Sequence, residues 1–464
     1  MTALLFRRKE NGEITVFLSM VLASFLGLAV VLIQSARLQL IRMNIEGVMD
    51  AGLHSCFGEY DRKLFKRYDL LFIDSSYRGE SEAGIDSVMG HLCRYMTANT
   101  DYSDTSATGE WYCETVGNAE AAGYILASDE GGTVLKSQAS DYMVRYGEYK
   151  YTDRINANRQ VLSDTSGDFM GEWDALIDAV NAYGFPLMNP GEEVRRMVLD
   201  EDEFINGSTL NSMRTGDIPS GRSLKHGKGG KKTDKRYCSD EAFVEYLMQK
   251  CGCYTENDDE QQLICEIEYL LYGNDNDRDN MLKIIKRLTE LREWDNIRCI
   301  RSDGGKLQAA WNMAYDTVEY NMPVYMEVPD AALVKLVCDS IVYAWAYAES
   351  AADVSRLLNG GNCPVVKSGP DIKLSLEKLL NFRSCLYGSG GAGISYKDYA
   401  GIFLTEIPDE TRRSRLMDII EGNFRCYYND NFRIDGCVEY LEAEVEMTSS
   451  YGFSHVIKRD LIYE

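Results

Sequence analysis

The side chains able to do chemistry are dispersed along the chain. The four histidines, His54, His91, His226 and His455, lie far apart, and none belongs to the i, i+4 pair that a zinc hydrolase places on one helix face. The sequence contains neither a GxSxG nucleophile elbow nor a GxxxxGK[ST] phosphate loop. Residues 388–393, Gly-Ser-Gly-Gly-Ala-Gly, fit GxGxxG literally, but a dinucleotide loop must follow a strand, whereas residues 376–386 read as helix. A flexible helix–helix connection is expected there. Asp275, Asp277 and Asp279 alternate as in a calcium loop, yet Asn280 and Lys286 stand where an EF-hand needs Gly and Glu. That run is expected to cap a helix beginning near Arg278. No catalytic residue, cofactor or metal ligand set is assigned.

There are 13 cysteines, an odd total that leaves at least one thiol free or joined to another molecule. None forms a CxxC pair, which argues against zinc ribbons and thioredoxin-type redox sites. Cys426 and Cys437, flanking the entry to the last hairpin, are the first candidate disulfide. Cys338 reads as a reduced, small core residue. The 30 tyrosines against 15 phenylalanines would suit an exposed assembly surface.

Over 464 residues, 45% hydrophobic and 26% charged is globular composition, with material for roughly two to three domains. Lys plus Arg number 49 against 73 for Asp plus Glu, a formal charge of −24. Such a field repels phosphate, so no nucleic-acid partner is expected.

The strongest signal is near the N-terminus. Residues 14–33 are twenty consecutive uncharged, predominantly apolar residues, enough helix to cross a bilayer core of ~30 Å. Arg7, Arg8 and Lys9 precede them, which by the positive-inside rule keeps that end cytoplasmic and the head extracytoplasmic; Arg37 and Arg42 act in the opposite sense. The run exceeds a signal-peptide core, and Ile33 and Gln34 are large for the −3 position of a cleavage site. A single-pass cell-membrane anchor is expected. Val16, Leu18, Leu22, Leu26 and Val30 are the positions assigned to hold it in lipid and to pack against neighbouring helices. Leu38, Ile41, Ile45, Val48 and Leu53 extend a stripe at helical spacing, so one long helix should run on into the head.

A basic leader, Gly12-Glu13, an apolar span and an amphipathic continuation resemble the plan of a type IV pilin. Gly12 sits where a prepilin peptidase would cut. The fifth residue after it is Phe17, where prepilins usually carry Glu, and the acid stands instead at Glu13. The chain also resembles domain-of-unknown-function family 5702 of Gram-positive bacteria, whose members accompany tight-adherence (Tad-like) type IV pilus machinery. The resemblance is carried by NGEITVFLSMVLASFLGLAVVLIQSARLQ, by EYDRKLFKRYDLLFID and NPGEEVRRM, and by residues 264–297, 343–358 and 394–404. It implies the membrane, other pilin-like subunits, Tad assembly proteins and the prepilin peptidase as partners, and carries no enzymatic activity with it.

In the head, a strand over 68–73, a helix around 85–97, extended structure over 111–127 and a helix over 134–146 are expected. Residues 214–237, rich in Gly and Lys, read as a flexible basic linker. Residues 331–348, apolar apart from Lys335 and Asp339 and preceded by Pro329-Asp330, read as a central core helix. Leu441, Ala443, Val445 and Met447 alternate with Glu442, Glu444 and Glu446, the pattern of a strand buried on one face, and residues 452–463 should return beside it. The expected organisation is leader 1–12, spanning and extended helix 13–60, first part of the head 61–213, linker 214–237, and a helix-rich part 238–464 ending in a β-hairpin. The fold class is α+β. The expected function is that of a non-enzymatic, pilin-like component of a Tad-type pilus or its assembly complex; the alternative is a membrane-tethered extracytoplasmic enzyme or ligand receptor.

Overall fold

Without a proline to break it, the N-terminal segment forms one helix, α1 (Arg7–Phe57), of 51 residues. The computed structural model describes residues 7–79, 83–100, 114–162, 168–205, 210, 212, 218–229, 238–256, 263–324, 327–386, 388, 390–449 and 452–463. The helix is present from the first described residue, Arg7, so residues 7–12 of the expected leader are part of it. Its two ends differ sharply. Up to Ile33 the described large apolar side chains point outward, whereas Ile41, Ile45, Val48, Met49, Leu53, Cys56 and Phe57 are buried at spacings of three and four.

That buried stripe lies on a four-stranded antiparallel sheet. After α2 (Arg62–Tyr68) come β1 (Ile73–Asp74), α3 (Ile85–Thr100) and β2 (Glu114–Leu126). The strand expected over 68–73 shrinks to β1, because Asp61 accepts from the amides of Lys63 and Leu64 and starts a helix, which Asp69 ends at φ 52°. Of the extended segment expected over 111–127, residues 111–113 lie outside the described residues. The C-terminal hairpin is β5 (Cys437–Ser449) and β6 (Ser454–Ile462). β5 is central: β2 pairs along one edge, while β1 and β6 share the other. Leu441, Ala443, Val445 and Met447 are fully buried against α1 and α3, as their alternation requires. The glutamate row faces the other way, and Lys458 pairs with Glu442 across it at 3.3 Å.

A helical body continues from the far end of this sheet. It comprises α4 (Asp129–Tyr146), α5 (Thr152–Leu162), α6 (Phe169–Asn181), α7 (Pro190–Arg196), α8 (Asp240–Lys250), α9 (Glu266–Tyr272), α10 (Asp277–Ser302), α11 (Gly304–Asn321) and α12 (Ala331–Leu358), then α13 (Tyr396–Leu404) and α14 (Asp409–Tyr427). α12 is its axis, packed by α6, α7, α10 and α11, and Asp330 caps it through the Ala332 amide. One hydrophobic cluster joins Leu135, Trp173 and Val194 to Ile284, Ile341 and Phe403. The segments on either side of residues 214–237 therefore share a core.

Those connecting residues are not a free linker where they are described. Arg222 forms ion pairs with Glu421 and Asp435, both at 2.6 Å, and the Lys225 amide donates to Asp435. The Gly227 amide donates to Asp129, and Lys228 and Tyr124 exchange backbone hydrogen bonds. A basic composition read as solvation is here attraction to buried carboxylates. Residues 214–217 and 230–237 lie outside the described residues.

Candidate functional site

Glu13–Phe57 is a helix long and apolar enough to cross a membrane, and none of its most apolar window is buried. By length and composition it fits a membrane anchor or a signal sequence. Ala331–Leu358 is also long and apolar enough, but its most apolar stretch is 72% buried and it is a core helix, as expected. Val16, Leu18, Leu22, Leu26 and Val30 are all exposed along the projecting part of α1, and the head touches none of these side chains' positions closely enough to bury them. Leu18, Leu22, Leu26 and Val30, four residues apart, form one ridge. The hydroxyls of Ser19 and Ser24 donate to the carbonyls of Val16 and Met20, which satisfies them inside the helix, as lipid demands. Gly12 and Glu13 lie within the same unbroken helix.

The end of the chain clamps the other half of α1. Arg459 on β6 reaches Glu46 at 3.4 Å and Asp50 at 3.3 Å. The Tyr463 hydroxyl donates to the Phe57 carbonyl at 2.6 Å, with its ring beside that of Phe57. The hairpin thus holds the half of the helix that packs on the head.

The dispersed residues meet in ways that sequence spacing does not reveal. His91 lies 2.9 Å from a Glu59 oxygen, Tyr95 donates to the other at 2.6 Å, and the Tyr77 ring stacks on the imidazole. Glu59, Tyr77 and His91, with Asp61 and Asp74, line a cleft of about 420 Å³ where α1 ends. Asp61 is occupied as a helix cap; Asp74, its carboxyl raised by burial, accepts from Ser76. The cleft ties α1 to α3 and β1. A larger groove of about 1050 Å³ beside α11 is lined by Lys306, Asp316, Tyr320, Trp345, Lys373 and Glu377, a mixed-charge surface.

Residues 274–279 form a cap, with the Asn276 side chain accepting from the Arg278 amide and the buried Asp277 accepting from Ile264. Among the described residues no group of three or more His, Cys, Asp or Glu side chains could hold a metal ion. The glycine-rich run leads from a 3₁₀ segment, Leu376–Cys385, to the two-residue β4 (Ile394–Ser395), which pairs with β3 (Asn362–Cys363). Its glycines permit close backbone approach: a Cβ on Gly393 would lie 2.2 Å from the Cys363 carbonyl.

Cys426 and Cys437 are both free thiols, the first exposed and the second buried with its sulfur toward the Arg433 carbonyl, so the expected disulfide is not formed. Burial pushes the Cys56 and Cys253 thiols up to about 12 and Cys338 and Cys363 up to about 11, which keeps them protonated and poor nucleophiles. Many tyrosines serve the interior. Tyr246 donates to the Tyr68 carbonyl, Tyr269 to Asp418 and Tyr396 to Glu268. Others, among them Tyr146, Tyr320 and Tyr427, are exposed, so the tyrosines divide between the interior and the surface.

The body also buries charge. Arg292 contacts Asp353 and Asp295, both at 3.2 Å, and donates to the carbonyl of Pro364. Lys367 bridges Glu349 at 2.6 Å and Asp353 at 2.7 Å, while Glu349 accepts from the amides of Lys373 and Leu374. Burial alone would raise the Asp353 carboxyl, but Arg292 and Lys367 outweigh it and hold it below the usual range. The network fastens residues 362–374 to α10 and α12.

Glu293 on α10 is the opposite case. Burial, with the Glu290 charge adding to it, pushes its carboxyl up to about 8. Between the ordinary carboxylate range and that value the native state keeps a proton that the unfolded chain has lost, so stability falls as pH rises through the window. Glu268, pushed by burial up to about 7, acts in the same direction. Glu293→Gln should leave the melting temperature unchanged near pH 5 and raise it by several degrees at pH 9, as read by thermal unfolding. Equal melting temperatures at pH 9 would show that Glu293 is solvated.

The architecture defines a class: an α+β head from which a single long helix projects with an unpaired apolar half. The model of a family of unknown function, DUF5702, matches residues 190–449, more than half of the chain. The chain belongs to that family. The match covers α7 to β5, so α1, β1 and β2 lie outside it. No curated protein and no solved structure matches the chain.

Proposed function

We propose that the protein is a membrane-anchored, extracytoplasmic, pilin-like structural component of a Tad-type pilus or of its assembly complex, acting without catalysis. The observation that carries this reading is the division of α1. One half is apolar and exposed over twenty uncharged residues, and the other is clamped on an antiparallel sheet by the C-terminal hairpin. A helix of that kind holds the subunit in the bilayer and offers the Leu18–Leu22–Leu26–Val30 ridge to like helices during assembly. The resemblance to the family that accompanies Tad-like machinery in Gram-positive bacteria supports the choice of apparatus. Gly12-Glu13 is the junction at which a prepilin peptidase would act, and the acidic head faces outward.

Fractionation of the native cells tests the reading. The protein should stay in the membrane through alkaline carbonate extraction and be recovered, after in-cell crosslinking, joined to other helix-bearing subunits. Release by carbonate, or recovery solely as an uncrosslinked monomer, would reject it.

A further inference from the structure

We infer that the tip of the β5–β6 hairpin, carrying Phe453, rests in the lipid headgroup layer and gives the head a second contact with the bilayer besides α1. The inference depends on the membrane reading of α1 and adds to it.

The contacts of β6 fix its level along the helix. Arg459 meets Glu46 and Asp50, so it lies near the level of residue 48, and Tyr463 meets Phe57. From Arg459 to Tyr463 the strand advances about 13 Å at ~3.3 Å per residue. From the level of residue 48 to Phe57 the helix also advances about 13 Å at ~1.5 Å per residue. Strand and helix therefore run side by side in the same direction. Going back six residues from Arg459 to Phe453 covers about 20 Å of strand, the rise of about 13 helical residues. That places the tip beside residue 35 of α1. The apolar run ends at Ile33 and the first charge, Arg37, follows, so this is the level where hydrocarbon gives way to headgroups.

The tip has the composition for that place. Residues 447–454 carry no charge in a chain of net charge −24. Gly452, at φ 76°, turns the chain, with its amide donating to the Ser449 carbonyl, and the Ser449 amide donates to the Phe453 carbonyl. These two bonds tie the described residues of the turn together, and Phe453 is 45% exposed. An aromatic ring at this depth leaves water without leaving the interface, where apolar side chains bury about 5–10 Å deep. On α1, Leu40 and Met43, just past that level, are exposed as well. One helix alone lets the head swivel about its axis; a second contact fixes which face it turns to a neighbour.

Photo-crosslinking of the full chain in phosphatidylcholine–phosphatidylglycerol vesicles tests this. Benzoylphenylalanine is placed singly at Phe453, at Leu26 and at Phe65, an aromatic of similar exposure on α2 beyond the far end of α1. Lipid adducts are expected at 26 and 453 and not at 65. Adducts at 26 alone would overturn the hairpin contact and leave the anchor intact. Adducts at none of the three would remove the membrane reading, and with it this inference. Equal adducts at 65 and 453 would overturn the proposed orientation of the head.

Discussion

Replacing Leu22 or Leu26 by Arg should strip the protein from the membrane fraction. Both side chains project from the middle of the apolar run and none of that window is buried. At the centre of a spanning helix Arg costs about 2.5–3.5 kcal/mol and Leu contributes about 0.5 kcal/mol in the opposite sense. A single substitution therefore shifts insertion by about 3–4 kcal/mol, and Leu22→Arg/Leu26→Arg by about twice that. The soluble-to-membrane ratio, read by immunoblot after fractionation, should reverse. The denaturant midpoint of the head should not move, because neither residue packs on it. Normal retention of the double variant would mean that this half of α1 is not held by lipid.

The second large effect is expected in the helical body. Arg292→Met or Lys367→Met leaves Asp353 buried without one of the cations that hold it ionised. Removing one partner from a buried ion network costs about 3–5 kcal/mol, a large part of the ~5–15 kcal/mol that stabilises a typical domain. Urea unfolding of the detergent-solubilised chain should show a much lower midpoint. Lys367→Met/Glu349→Gln should recover part of the loss, because the second change removes a stranded charge while keeping an acceptor for the Lys373 and Leu374 amides. A loss below about 1 kcal/mol in either single variant would show that water reaches the network.

Periodicity made the elements with one dominant environment legible. The run over 14–33, the stripe from Ile41 to Leu53, the alternation from Leu441 to Met447 and the cap at Asp330 each announce helix, strand or boundary through local spacing, and each is found. Residues whose role depends on distant partners gave no such signal. Arg292 is far in sequence from Glu349 and Asp353, which share one face of α12, and Lys367 lies beyond the end of that helix, so the four converge only once α10 and α12 pack. Glu59, Tyr77, His91 and Tyr95 meet because α3 returns along α1. Arg222 and Lys225 lie in a segment of linker-like composition, yet buried carboxylates on α14 and just before β5 hold it in place. The strand expected over 68–73 gives way to α2 and the short β1, because the cap at Asp61 outweighs the apolar run that follows. Cysteine spacing carried no information on Cys426 and Cys437, since pairing depends on Cβ geometry and not on separation along the chain.

The central claim is that α1 crosses the membrane with the head outside the cytoplasm. Cys238 and Cys426 are exposed free thiols on that head and serve as reporters without any added tag. Intact native cells treated with a membrane-impermeant maleimide should yield labelled protein, and the signal should fall in Cys238→Ala/Cys426→Ala. Labelling that appears only after the cells are broken would place the head on the cytoplasmic side and contradict the account.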